Sequence, residues 1–140
     1  MKILKSSFLI LSVAFSLFAC NAQTSENQKI KNVISEDIQV YYFHNTKRCA
    51  TCNAVENETR MALEMFYEDS IKAGTIEFTS LNLEEDEGKD MALSLLVSGQ
   101  TLLIVKGETR VNLTNEGFMN ARTNPTKFHE IIKTQIDKLL

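Results

Sequence analysis

Between residues 37 and 71 the chain changes its period, and two cysteines mark the change. Asp37-Ile38-Gln39-Val40-Tyr41-Tyr42-Phe43 is β-branched and aromatic, which predicts a strand. His44 to Arg48 reads as a loop. From Cys49 to about Lys72, Val55, Thr59, Ala62 and Phe66 recur at helical spacing, with Leu63, Tyr67 and Ile71 beside them. Cys49-Ala50-Thr51-Cys52 therefore opens a helix directly after a strand. A cysteine at that position meets the unpaired N–H groups and the positive end of the helix dipole. Both favour a thiolate, which is the nucleophile of dithiol–disulfide exchange.

The rest of the chain extends this beginning. Gly74 is a helix stop, and Thr75 to Leu83 alternates as a second strand, with Ile76, Phe78 and Ser80 on one face. The acidic run Glu84 to Asp90 is read as a solvated helix start rather than a metal site. Met91 to Val97 forms a second helix, ended by Ser98-Gly99. Thr101 to Val105 is continuously apolar, as in a strand buried on both faces. Lys106-Gly107-Glu108 turns the chain, and Arg110 to Leu113 returns as a hairpin strand. Asn124-Pro125 starts a last helix with Phe128, Ile131, Ile132, Ile136 (or Gln135) and Leu139 on one face. His129, beside Phe128, is expected at the surface. The predicted class is α/β, a mixed four-stranded sheet flanked by helices on both faces.

The first residues do not fit that domain. Lys2 and Lys5 precede a mostly apolar run from Ser6 to Ala19, the pattern of a secretory leader. Leu17-Phe18-Ala19-Cys20 resembles a bacterial lipobox. On that reading residues 1–19 are a lipoprotein signal peptide, and Cys20 becomes the lipidated first residue that holds the protein to a membrane. The alternative is an ordinary leader cut near Ala22. Either way the domain is expected outside the cytoplasm, in the cell envelope, where disulfides persist. Residues 20–36 read as a polar tether, although Ile30, Val33 and Ile34 are also compatible with a short helix packed on the domain. Residues 37–140 are the expected domain. The 140-residue chain has a net charge of −3, and loss of the two leader lysines makes it −5. That balance argues against a nucleic-acid partner. A monomer is expected.

The element order, with Cys-x-x-Cys after the first core strand, resembles the thioredoxin fold over about Asp37 to Leu140. In thioredoxin-like proteins the strand facing the dithiol usually begins with a cis proline and a threonine. Here Thr101 matches and Gln100 stands in the proline position. A cis bond before a non-proline residue costs about 3 kcal/mol, so a trans bond is expected at Gln100. Thioredoxins proper also carry a buried acid six residues ahead of the first cysteine, where this chain has Phe43. Arg48 replaces the usual tryptophan before that cysteine. Tyr42-Phe43-His44 with Arg48-Cys49, Thr51-Cys52 and Glu56 further resembles a small family of exported bacterial proteins. These are nitrophenyl-compound nitroreductase subunits of the ArsF type, linked to arsenic resistance. That resemblance implies a relay role in reducing nitroaromatic or organoarsenical compounds with membrane partners.

Role assignments follow from position. Cys49, at the helix start, is the expected attacking thiol, with Lys47 and Arg48 beside it as cations. Cys52, one turn in, is the expected resolving thiol. His44 is a candidate proton shuttle, although a single histidine beside a loop is more often a satisfied structural group. Lys47, Arg48, Gln100 and Thr101 are the expected partner-binding residues. Glu56 and Glu58 are expected to serve the helix end, with Glu56 also a candidate for holding a proton near Cys52. The aromatics Tyr41, Tyr42, Phe43, Phe66 and Phe78 read as packing. No cofactor is expected. The alternatives are thiol-based binding of a soft metal or arsenite, and a redox-inert structural lipoprotein. Cys49, Cys52 and His44 have suitable donor atoms for Zn²⁺ or Cu⁺, but a fourth ligand is not apparent. A redox partner protein, in the membrane or the periplasm, is implied by the exchange reading.

Overall fold

The computed structural model describes residues 36–140. The leader, the lipidation candidate Cys20 and almost all of the tether lie outside the described residues.

The order of elements is β1 (Ile38–His44), α1 (Ala50–Ala73), β2 (Ile76–Asn82), α2 (Asp86–Ser94), β3 (Thr101–Lys106), β4 (Thr109–Asn112), α3 (Thr114–Asn120) and α4 (Pro125–Asp137). The strands form one sheet in the order β2-β1-β3-β4. β1 runs parallel to β2 and antiparallel to β3, and β3 pairs antiparallel with β4. This is the expected mixed four-stranded α/β sheet with helices on both faces. α1 supplies the crossover that a parallel β1–β2 pair requires.

Side chains alternate across the sheet and build two cores. Val40, Tyr42, Leu102 and Ile104 pack with α1, α3 and α4 through Val55, Leu63, Phe118, Phe128 and Ile132. Tyr41, Phe43, Leu103 and Val105 pack on the other side with Ala92 of α2 and with Leu95 just after it. β1 and β3 are thus covered on both faces, which explains their nearly continuous apolar runs. The aromatic residues expected to pack do so, Phe66 and Phe78 at the margin of the larger core.

Local signals place most boundaries. Gly74 closes α1 at φ 75°, a left-handed conformation that suits glycine. The Asn124 side chain accepts the Lys127 N–H and Pro125 occupies the first turn of α4. Two expectations need correction. The acidic run does start a helix, as expected, but α2 runs from Asp86 to Ser94 rather than from Met91 to Val97. The segment after β4 folds as α3, which the sequence reading omitted. Asparagines and Gly117 weaken its helical signal. In place, Gly117 brings α3 close to its neighbours. A Cβ there would lie 3.2 Å from Val55 Cγ1 and 3.3 Å from Phe128 Cζ.

His129 is also corrected. It is 8% exposed, and its Nε2 lies 2.7 Å from Glu58 Oε2 of α1. Position 129 falls three before Ile132 and seven before Ile136, on the buried stripe of α4. The carboxylate of Glu58 supplies the partner that a buried imidazole needs.

Candidate functional site

The site forms where the C-terminal end of β1, the start of α1 and the start of β3 meet. β1 and β3 are antiparallel, so Phe43 at the end of one pairs with Thr101 at the start of the other. The loop after β1 and the loop before β3 therefore emerge at the same edge, bringing together residues 48 positions apart.

Cys49 is the N-cap of α1, with extended backbone, φ −86° and ψ 165°. It is exposed. Its Sγ accepts the backbone N–H of Cys52 at 3.1 Å. The first turn of α1 holds no acidic side chain, so no carboxylate competes with this sulfur for the helix end. Cys52 is 3% exposed and begins the buried stripe that continues through Val55, Thr59, Ala62 and Leu63. The two cysteines are joined as a disulfide with Cα atoms 5.1 Å apart. One sulfur thus faces outward at a helix terminus, while the other is held against the core.

Arg48 does not extend toward the Cys49 sulfur. Its guanidinium pairs with Glu56 at 2.5 Å, lies 5.5 Å from the Tyr42 ring centroid and approaches the Cys52 carbonyl oxygen at 3.4 Å. Tyr42 donates its hydroxyl hydrogen to that same carbonyl at 3.0 Å. Glu56 also pairs with Arg60 at 3.0 Å. Burial pushes the Glu56 carboxyl up, but hydrogen bonds from Arg60 and then Arg48 outweigh burial, and its pKa is lowered overall. A carboxylate held ionised by two cations is poorly suited to storing a proton for Cys52. Glu56 and Glu58 both lie beyond the first turn of α1, and each is committed to a partner other than the helix end.

The remaining expected site residues are only partly gathered. Lys47 is exposed beside Arg48. His44 packs its ring 6.0 Å from Tyr42, and its Nδ1 lies 3.0 Å from the Asn45 carbonyl. None of its hydrogen bonds among the described residues reaches either sulfur. Thr101 turns its hydroxyl back onto the Gly99 carbonyl at 2.9 Å and so shapes the loop that carries Gln100. Gln100 reaches inward, with Oε1 3.4 Å from Cys52 Sγ. The backbone of this loop contains no cis bond, as expected for glutamine in that position. Among the described residues no group of three or more His, Cys, Asp or Glu side chains is placed to hold a metal ion. The sequence reading assigned Gln100 to partner binding and missed its contact with the sulfur. Only the antiparallel β1–β3 pairing reveals that contact.

No protein-family model matches the chain, and no curated protein matches it. Among solved structures, it is similar to mitochondrial thioredoxin 3 from Saccharomyces cerevisiae at 18% identity. That likeness covers 77% of this chain and 89% of that one, with a TM-score of 0.46. A thioredoxin from Trypanosoma brucei brucei is 10% identical over 92% of this chain and 99% of that one, with a TM-score of 0.46. A structure named Trxlp from Edwardsiella tarda is 14% identical over 79% of this chain and 93% of that one, with a TM-score of 0.48.

Proposed function

We propose that this chain is an exported, membrane-tethered protein that passes electrons by thiol–disulfide exchange through Cys49 and Cys52. The observation that carries the reading is the asymmetry of the pair. Cys49 is exposed at the N-cap of α1 and accepts the Cys52 N–H, while Cys52 is 3% exposed. A helix N-terminus favours a thiolate, and exposure lets that sulfur meet a partner.

In the oxidising direction, Cys49 thiolate attacks a sulfur of a partner disulfide. A Cys49–partner bond forms, and the partner's other sulfur leaves as a thiolate. Cys52, as thiolate, then attacks Cys49 Sγ. The Cys49–Cys52 bond forms, and the second partner sulfur leaves with its electron pair. Two electrons pass to the partner, and its two thiolates take protons from solvent. Reduction of this chain by a partner dithiol runs through the same bonds in reverse.

Location and partner belong to the same proposal. The apolar leader and Cys20 support an anchor in the cell envelope, with the partner a protein in the membrane or periplasm. No helix among the described residues is long and apolar enough to cross a membrane. A narrower role as relay subunit in nitroaromatic or organoarsenical reduction is supported by the Tyr42-Phe43-His44, Arg48 and Glu56 cluster around the cysteines. In that role the purified chain alone leaves nitroaromatics unreduced, and activity requires its membrane partners.

The test is trapping in the host. A Cys52→Ala variant should hold a protein partner through Cys49 as a mixed disulfide that reductant releases. A Cys49→Ser variant should trap nothing and lose exchange with a model dithiol by at least about a hundredfold. Exchange at the wild-type rate in Cys49→Ser would overturn the assignment. Stoichiometric arsenite binding without any exchange would favour a thiol receptor instead.

A further inference from the structure

We propose that the Gln100 side-chain amide stabilises the Cys52 sulfur as a thiolate during exchange, a role that rests on the redox reading above. Cys52 is the leaving group when a partner thiolate attacks Cys49, and it is the nucleophile when a mixed disulfide on Cys49 is resolved. In both steps a negative charge resides on a sulfur that is almost fully buried. Such a charge is costly without a donor.

The surrounding groups leave this task to Gln100. Tyr42 from β1 and Arg48 from the preceding loop both face Cys52, but both address its carbonyl oxygen. Glu56, one turn further along α1, is bound to Arg48 and Arg60. Position 43 of β1 is a buried phenylalanine that can neither give nor take a proton. The Cys49 sulfur is itself an acceptor of the Cys52 N–H. Among the described residues, the polar side chain that reaches Cys52 Sγ is Gln100, at 3.4 Å from the loop before β3.

A carboxamide suits both forms of this sulfur. Its oxygen accepts a hydrogen bond from the thiol S–H. A half-turn about the last side-chain bond presents the NH₂ group, which donates to the thiolate. The amide neither gains nor loses a proton, so the proton balance is met by solvent. Thr101, hydrogen-bonded to Gly99, fixes the loop from which Gln100 reaches.

The test uses the full chain carrying Cys49→Ser, which leaves Cys52 as the reactive thiol of the site. Alkylation of Cys52 by iodoacetamide is followed against pH, read on the peptide that contains it by mass spectrometry. Gln100→Met keeps length and volume but removes the amide. It should move the alkylation profile to higher pH and slow the reaction about fivefold below the midpoint, the effect of one hydrogen bond. Gln100→Glu should move the profile further in the same direction, because a carboxylate opposes the thiolate. A merely structural role would change the plateau rate through access to the sulfur and leave the midpoint in place. Coincident midpoints in all three proteins, or a Glu variant shifted to lower pH, would overturn the proposal. This readout needs no partner, so it stands or falls separately from the trapping experiment.

Discussion

Gly88 lies in the first turn of α2, packed against the end of β2. A Cβ at this position would sit 2.0 Å from the Asn82 carbonyl oxygen and 2.5 Å from its carbon, both backbone atoms that cannot rotate away. Gly88→Ala should therefore lower stability by about 1–3 kcal/mol, as overpacking does, measured by urea denaturation. An unchanged midpoint would mean that α2 can slide off the sheet. Single residues were unevenly legible. Cys49 and Cys52 announce themselves by spacing, and the expected exposure difference between them follows from which one falls on the helix stripe. At His129 polarity points to the surface and periodicity to the core, and periodicity prevails. Its imidazole is buried through a partner 71 residues away, and no local pattern reports that partner.

α1 joins the site to the rest of the domain. Its buried stripe runs from Cys52 through Val55, Thr59, Ala62 and Leu63 to Tyr67. At Tyr67 the backbone leaves helical values, φ −137° and ψ 28°, and the buried stripe ends there; Ile71, one turn on, is 37% exposed. The Tyr67 hydroxyl lies 3.0 Å from the Lys133 carbonyl and 2.7 Å from Asp137 Oδ1, which ties the kink to α4. Burial and then the Asp137 carboxylate raise the Tyr67 pKa, so this hydroxyl keeps its proton well into alkaline solution. Tyr67→Phe should cost about 1 kcal/mol in chemical denaturation while leaving Cys49 reactivity unchanged. A loss of reactivity would show that the kink controls the N-terminal end of α1. Elements were the most legible scale, because period and caps are local. The exception is α3, where Gly117 lowers local propensity in exchange for a close approach to Val55 and Phe128.

Across the whole molecule, one polar cluster spans the sheet and its main helix. Glu56 of α1 holds Arg48, whose guanidinium lies beside Tyr42 of β1, and Arg60, which lies 4.4 Å from the Phe78 ring of β2. The Glu56 carboxyl has a lower pKa folded than its ordinary value of 4.5. The unfolded chain therefore binds more protons there as acid is added. The stabilisation from Glu56 is complete above about pH 4.5 and is lost as pH falls through the folded pKa. Denaturation followed from pH 7 to pH 3 should show a shallower acid decline in Glu56→Gln than in the wild type. Equal slopes would mean that Glu56 is not coupled to folding. By itself the sequence determined the α/β class, nearly every element and the dithiol at a strand-to-helix junction. Those depend on periodicity and on end signals within a few residues. Tertiary structure decided what surrounds the sulfurs. The antiparallel pairing of β1 with β3 delivers Gln100 to Cys52, and the packing of α4 on α1 delivers His129 to Glu58. Arg48 turns from Cys49 to Glu56 because a half-buried carboxylate and an aromatic face hold a guanidinium better than open solvent does. Contacts of this kind depend on chain segments that come together only after folding, so the order of residues does not display them.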